Sequence, residues 1–121
     1  MNAVLAGVLA LSVATQPGKV QLKVSVENRS DKPVKVLREL LEEKELSGKL
    51  FVLTADGQPV DYIGIMAKRA ALTDADYLTI KAHGKRHNTI DITPSYRWLP
   101  GVHRYEIRYE GSTPVFFHYG T

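Results

Sequence analysis

Histidine side chains are the groups in this 121-residue sequence that could most readily bind a metal ion or transfer protons. They stand at His83, His87, His103 and His118. None belongs to an H-E-x-x-H motif, the helical spacing that places two imidazoles on one zinc ion. His83 and His87 flank a predicted hairpin and could meet across it, but the sequence indicates no third ligand. We therefore interpret the histidines as solvated turn and strand residues and predict no metal site.

The motifs that position a nucleophile or hold a phosphate do not occur in the sequence. There is no G-x-S-x-G, G-x-x-x-x-G-K or G-x-G-x-x-G pattern. The absence of cysteine excludes thiol catalysis, disulfides and cysteine-ligated metals. The carboxylate pairs Glu42-Glu43 and Asp74/Asp76 are more typical of a solvated surface than of an acid–base pair. We expect no catalytic residue, no enzymatic activity and no cofactor.

The charge balance argues against a nucleic-acid partner. Sixteen Lys and Arg residues against 13 Asp and Glu give a net charge of only +3. The basic run at residues 81–87 lacks the interleaved aromatic side chains on which bases stack. No apolar stretch reaches the ~18 residues that a membrane-spanning helix needs. We therefore predict neither a nucleic-acid partner nor a membrane span.

Residues 62–69 form the segment that most resembles a protein-contact loop. They follow a predicted strand but break its alternation, and Gly64 allows the backbone to bend or to approach another chain closely. Aliphatic side chains beside paired cations are typical of a loop that binds a protein. The alternative is a bulged strand whose aliphatic side chains belong to the core. The candidate partner-binding residues are Tyr62, Ile63, Gly64, Ile65, Met66, Lys68 and Arg69.

Period-two alternation of apolar residues predicts the elements that hold this segment in place. The pattern gives strands at residues 20–27, 34–36, 50–54, 59–62, 76–80, 87–92, 103–110 and 115–119. Turn-forming residues at 28–33 and the Asp56-Gly57 pair separate some of these strands. Residues 37–46 have high helix propensity and predict one short helix or a wide loop. Together these patterns predict one all-β domain over residues 1–121, an antiparallel β-sandwich of seven to nine strands.

The first 14 residues have two interpretations. The apolar run at residues 3–13 and the small residues at 12 and 14 resemble a secretory signal with its cleavage site, although no Lys or Arg precedes them. Alternatively, Leu9, Leu11 and Val13 alternate with small residues and form a first strand, which we favour. The strand interpretation leans towards a cytoplasmic protein, and the signal interpretation indicates a periplasmic or secreted one.

Aromatic residues late in the chain offer a different function. Tyr96, Trp98 or Tyr105 could form a flat platform on which a carbohydrate stacks, as in a carbohydrate-binding module. The alternative is that these rings are strand core residues with a polar tip at the rim. We favour the core interpretation because the aromatic residues alternate with Arg and Glu, as a half-buried strand requires.

An ordered set of short motifs resembles the N-terminal propeptide domain of deuterolysin-type (peptidyl-Lys, aspzincin) zinc metallopeptidases. The set covers residues 8–110 and includes residues 28–34, Val36-Leu37, Gly48, 50–52, Asp56-Gly57, Pro59-Val60, Tyr62-x-Gly64, Met66, Lys68-Arg69, Asp76-Tyr77, Gly84, Asp91, Tyr96 and Gly101-x-x-x-Tyr105-x-x-x-Tyr109. The charged residues 38–44 depart from the shorter and less charged connection of that family.

The resemblance implies an immunoglobulin-like β-sandwich that assists the folding of a peptidase and keeps it inactive. The sequence holds no H-E-x-x-H motif, so the resemblance implies the fold more firmly than an activity. We expect a protein partner, specifically a zinc metallopeptidase that this chain inhibits or helps to fold. The alternatives are a generic immunoglobulin-like interaction module of an envelope or surface assembly, or a carbohydrate-binding module.

Overall fold

The computed structural model describes residues 9–67, 71–110 and 112–120. These ranges contain nine strands: β1 (Leu9–Gln16), β2 (Lys19–Glu27), β3 (Val34–Leu37), β4 (Phe51–Ala55), β5 (Gln58–Pro59), β6 (Tyr77–Ile80), β7 (Lys85–Asp91), β8 (His103–Tyr109) and β9 (Val115–Tyr119). A single helix, α1 (Arg38–Glu42), follows β3. Short 3-10 turns at Asp74–Asp76 and Thr93–Ser95 precede β6 and follow β7.

Antiparallel pairing arranges the strands in three sheets. Their orders are β1-β2-β7, β3-β6 and β5-β4-β8-β9. This arrangement confirms the predicted all-β antiparallel class and fits a β-sandwich, while the immunoglobulin-like form stays a prediction. In the described part of the chain, no helix is long and apolar enough to cross a bilayer.

One hydrophobic core joins the three-stranded and four-stranded sheets. In β2, Val20, Leu22, Val24 and Val26 are buried while the residues between them face outward. The alternation arises because successive side chains of a strand point to opposite faces. The inward-facing side chains of β4 and β8, among them Phe51, Leu53, Tyr105 and Ile107, belong to the same core.

Helix α1 is fastened to β7 by the buried side chain of Asn88. The Asn88 Nδ2 donates to the carbonyl oxygens of Leu40 at 3.2 Å and Glu43 at 2.7 Å. Lys44 Nζ donates to Asn88 Oδ1 at 2.7 Å. The prediction of one short helix or a wide loop over residues 37–46 is therefore confirmed as a five-residue helix followed by an irregular segment.

The turn predicted at residues 28–33 is organised by the side chain of Asn28, which is 0% exposed. Its Nδ2 donates to the carbonyl oxygens of Lys32 at 2.7 Å, and of Ile80 and Lys81 at 3.0 Å each. Its Oδ1 accepts from the backbone N–H and hydroxyl of Ser30. Strand β2 pairs with β7, and β3 pairs with β6. The Asn28 side chain therefore connects the β2–β7 pair to the β3–β6 pair.

Most observed strand boundaries lie within one or two residues of the prediction. Residues 9–14 lie in β1, as the strand interpretation expects, and residues 1–8 are outside the described residues. The strand predicted at residues 59–62 is wrong beyond its first residue, because β5 ends at Pro59. Tyr62 instead forms an isolated β-bridge with Tyr96. After β5 the chain therefore pairs with the segment that follows β7.

Candidate partner-binding loop

Residues 61–67 form a loop whose first half is fixed by backbone hydrogen bonds. The N–H of Ile63 donates to the carbonyl of Ser95 at 2.7 Å, and the N–H of Arg97 donates to the carbonyl of Asp61 at 3.0 Å. The Tyr62 ring meets the buried Tyr96 ring edge-on, with centroids 5.6 Å apart. This half of the loop therefore lies against the segment that follows β7.

The second half of the loop is hydrogen-bonded to the segment that follows α1. The N–H of Ala67 donates to the carbonyl of Ser47 at 2.9 Å. Ser47 itself donates through its hydroxyl to Glu39 of α1, at 3.4 Å. The loop is thus supported both by the segment after β7 and by the segment that follows α1.

Between these supports the loop presents apolar side chains to solvent. Ile63 is 50% exposed, Ile65 is 61% exposed and Met66 is 68% exposed. The interpretation of a bulged strand with core aliphatic residues is therefore wrong, because these side chains have no place in the core. Their exposure is what a protein-contact loop requires.

Tyr62 and Gly64 fix the shape of the exposed part. The Tyr62 hydroxyl donates to the carbonyl of Ile65 at 2.5 Å. Burial, together with the nearby Glu39 carboxylate, raises the pKa of the Tyr62 phenol above its usual value. A Cβ at Gly64 would lie 2.9 Å from that hydroxyl and 3.2 Å from the Ser95 Cα. Any side chain at residue 64 would therefore have to displace the Tyr62 hydroxyl or the Ser95 backbone.

The structure thus brings together Tyr62, Ile63, Gly64, Ile65 and Met66 in one loop. The remaining two candidate residues, Lys68 and Arg69, lie outside the described residues. Their role in binding a partner stays a prediction. The sequence indicated the aliphatic residues by their broken alternation, but it gave no sign of the Tyr62 hydrogen bond.

The proposed carbohydrate platform is not formed. Tyr96 is 2% exposed and Tyr105 is 0% exposed, so neither ring can stack on a sugar. The indole N–H of Trp98 donates to the carbonyl of Thr93 at 2.9 Å, and Trp98 is half-buried among these rings. The favoured interpretation of these rings as core residues is therefore confirmed for Tyr96 and Tyr105, which offer no platform to a carbohydrate.

His103 has an environment that the sequence did not indicate. Its Nδ1 lies 2.6 Å from Asp56 Oδ2 and its Nε2 lies 2.8 Å from the carbonyl of Pro100. These two acceptors raise the pKa of His103, and the hydrogen bond from His103 lowers the pKa of Asp56. Across the described ranges no three His, Cys, Asp or Glu side chains gather in a way that could hold a metal ion. The His103–Asp56 pair therefore joins β8 to the β4–β5 turn.

The outer face of the four-stranded sheet also exposes two apolar side chains, which lie on either side of the charged Glu106 and Arg108 of β8. Val52 is 42% exposed and Phe116 is 49% exposed, and the Arg104 guanidinium lies 4.2 Å from the Phe116 ring centroid. Sequence reasoning missed this surface, because these residues fit the alternation of ordinary half-buried strands. Only the accessibility of the folded chain distinguishes them.

Comparison with known proteins finds a similarity to part of one extracellular protease. No protein-family model matches the chain. The chain is 36% identical over 90 residues to an extracellular protease from Aeromonas hydrophila. The matched residues are 74% of this chain and 25% of that protease, so the chain spans about a quarter of its length. This similarity is compatible with a protease-associated propeptide domain.

Proposed function

We propose that this protein is a non-catalytic, propeptide-like partner of a deuterolysin-type zinc metallopeptidase, which it inhibits or helps to fold. The observation that carries the proposal is the loop at residues 61–67, which exposes Ile63, Ile65 and Met66 from a fixed backbone. The similarity to part of an extracellular protease supports a peptidase as the partner.

The loop would act by entering the substrate cleft of the peptidase as an extended segment. Peptide segments commonly bind by adding a strand to an exposed sheet edge, with alternate side chains filling pockets. A loop already fixed by hydrogen bonds loses little conformational entropy on binding. In this mechanism the aliphatic side chains fill apolar subsites, and Lys68 or Arg69 occupies a pocket for a basic substrate residue.

The direct test is to titrate the purified chain against a deuterolysin-type peptidase whose own propeptide has been removed. We expect dose-dependent, stoichiometric inhibition. The double variant Ile65→Asp/Met66→Asp should inhibit at least ~10-fold more weakly, because it places two charges in apolar subsites. Val102→Asp, at a residue 61% exposed outside the loop, is the matched control and should inhibit like the parent.

Failure to inhibit both a peptidase from the same organism and a distant one would contradict the inhibitor proposal. The folding role has its own measurement, which is the yield of active peptidase after refolding with and without the chain. For the basic pocket, Lys68→Ala/Arg69→Ala is the informative variant. If this variant inhibits as well as the parent, those two side chains do not occupy a pocket.

The second candidate function is that of a generic interaction module in an envelope or surface assembly. The exposed Val52 and Phe116 on the four-stranded sheet favour it, because apolar side chains on a sheet face are suited to a protein contact. Partner capture with Val52→Ser/Phe116→Ser compared with the loop variants separates the two functions. Loss of the partner only with the sheet variant would favour the interaction module.

A further inference from the structure

The exposed loop carries an internal hydrogen bond at the place where a peptidase would attack it. The Tyr62 hydroxyl donates to the Ile65 carbonyl oxygen, and the two oxygen atoms are 2.5 Å apart. That carbonyl belongs to the peptide bond between Ile65 and Met66, the two most exposed aliphatic residues of the loop. The hydrogen bond therefore lies within the segment that the proposed function places in the substrate cleft of a peptidase.

The Tyr62 ring is itself held in position. Its edge-on contact with Tyr96 and the bridge between these two residues fix the ring from one side. Because Tyr96 is buried and donates to the Phe51 carbonyl at 3.1 Å, this support reaches into the core. A donor fixed in this way restrains its acceptor more strongly than a mobile surface hydroxyl does.

Gly64 makes the hydrogen bond possible. The nearest atoms to a Cβ built at this position are the Tyr62 hydroxyl at 2.9 Å and the Tyr62 Cζ at 3.0 Å. A methyl group here would push the phenol away from the Ile65 carbonyl. The spacing Tyr62-x-Gly64-Ile65 is therefore one unit, in which the glycine leaves room for the hydroxyl to reach the carbonyl.

We propose that Tyr62 is a positioning residue that clamps the Ile65 carbonyl and makes the loop resistant to cleavage by the peptidase it binds. Hydrolysis of the Ile65–Met66 bond needs water to add to the carbonyl carbon while a metal ion polarises the oxygen, after which the C–N bond breaks and the new amine takes a proton. In the clamped loop the carbonyl oxygen already accepts a hydrogen bond from the Tyr62 hydroxyl, which turns the oxygen towards its own protein and away from a metal ion of the peptidase. The loop binds like a substrate but is hydrolysed slowly.

The role of the Tyr62–Ile65 hydrogen bond in inhibition rests on the proposed function. Its effect on cleavage of the loop can be tested without the partner. The probe is thermolysin, a zinc endopeptidase that cleaves on the amino side of aliphatic residues. Digestion of the full chain is followed by mass spectrometry, with cleavage before Ile63, Ile65 and Met66 measured separately from cleavage elsewhere. Cleavage of a briefly opened segment follows the population of its open form.

Tyr62→Phe should be cleaved within residues 62–66 about fivefold faster than the parent, since it loses one hydrogen bond and keeps the ring. Gly64→Ala should be cleaved faster at the same bonds. Tyr119→Phe, which removes a hydroxyl from β9, is the matched control and should behave like the parent. Cleavage of Tyr62→Phe at the parental rate would overturn the clamp. So would faster cleavage spread evenly along the chain, because the hydroxyl would then support the whole fold.

The two proposals fail in different ways. With a deuterolysin-type peptidase, the parent should inhibit throughout the assay, while inhibition by Tyr62→Phe should decay as its loop is cleaved. If the parent does not inhibit but the thermolysin result holds, the proposed function fails and the clamp stands. If Tyr62→Phe inhibits as durably as the parent, the clamp has no part in inhibition and the inference is overturned.

Discussion

At the scale of single residues, the buried Asn28 side chain makes hydrogen bonds to four other residues. Replacing it with Ala removes the donor from three carbonyl oxygens, those of Lys32, Ile80 and Lys81. Because buried polar groups without partners are costly, we expect the free energy of unfolding to fall by about 3 kcal/mol. Urea denaturation measures it.

The matched control for Asn28→Ala is Ser30→Ala. Ser30 is exposed, and its hydroxyl donates to the same side chain at 2.7 Å. Its loss should cost about 1 kcal/mol or less, since water can replace an exposed partner. Equal effects of the two substitutions would show that the asparagine does not organise the turn.

The His103–Asp56 pair predicts a pH dependence at the same scale. The pKa of His103 is raised above 6.5, so the stability it contributes is complete below pH 6.5 and is lost as the pH rises through the raised value. The pKa of Asp56 is lowered below 3.8, so its contribution is complete above pH 3.8 and is lost as the pH falls through the lowered value. The pair should therefore stabilise the fold most between these two pH values.

The measurement is an NMR titration of the His103 ring in the parent and in Asp56→Asn. The substitution removes the carboxylate that raises the pKa most, so the pKa of His103 should fall. An unchanged pKa for His103 would contradict the pairing.

At the scale of the elements, the buried side chain of Asn88 joins α1 to β7. Asn88→Ala removes the hydrogen bonds to the carbonyl oxygens of Leu40 and Glu43. We expect a loss of about 2 kcal/mol in the free energy of unfolding, because these carbonyls lose a buried donor. Hydrogen exchange should accelerate in residues 38–44 more than in β2 or β8. Uniform acceleration over all strands would contradict a local anchor.

Most strands could be predicted from the sequence, whereas some connections could not. In strands such as β2 and β8 an apolar residue occurs at every second position, and these residues are the buried ones. This pattern does not depend on which strand is the neighbour. The end of β5 depends on the pairing of Tyr62 with Tyr96, which are far apart in sequence. The need for glycine at Gly64 likewise depends on Ser95. Long-range contacts of this kind leave no local pattern.

At the scale of the whole molecule, the single-domain prediction can be tested with the only tryptophan. Trp98 packs against rings of β8 and β9, so its emission reports on the four-stranded sheet. Far-UV circular dichroism reports on all the strands. Because the two larger sheets share one core, both signals should give the same urea midpoint. Two separate midpoints would contradict a single cooperative unit.

The candidate site was predictable at this scale only as a segment. Aliphatic residues between a predicted strand and two cations indicated where a partner could bind. Whether Ile65 and Met66 lie at the surface depends on how the sheets close over the core. The same amino-acid sequence would also be compatible with a bulged strand. The sequence therefore located the loop, and the fold decided between its two interpretations.

The burial of Asn28 has a consequence for producing this protein. Asn28-Arg29-Ser30 is an acceptor sequence for N-linked sugars. In a eukaryotic secretory host the sugar is attached to this nitrogen, which in the folded chain donates to three carbonyl oxygens and is closed off from solvent. A glycosylated chain cannot form the turn between β2 and β3. Bacterial expression, or Ser30→Ala in a eukaryotic host, keeps the asparagine free to fold.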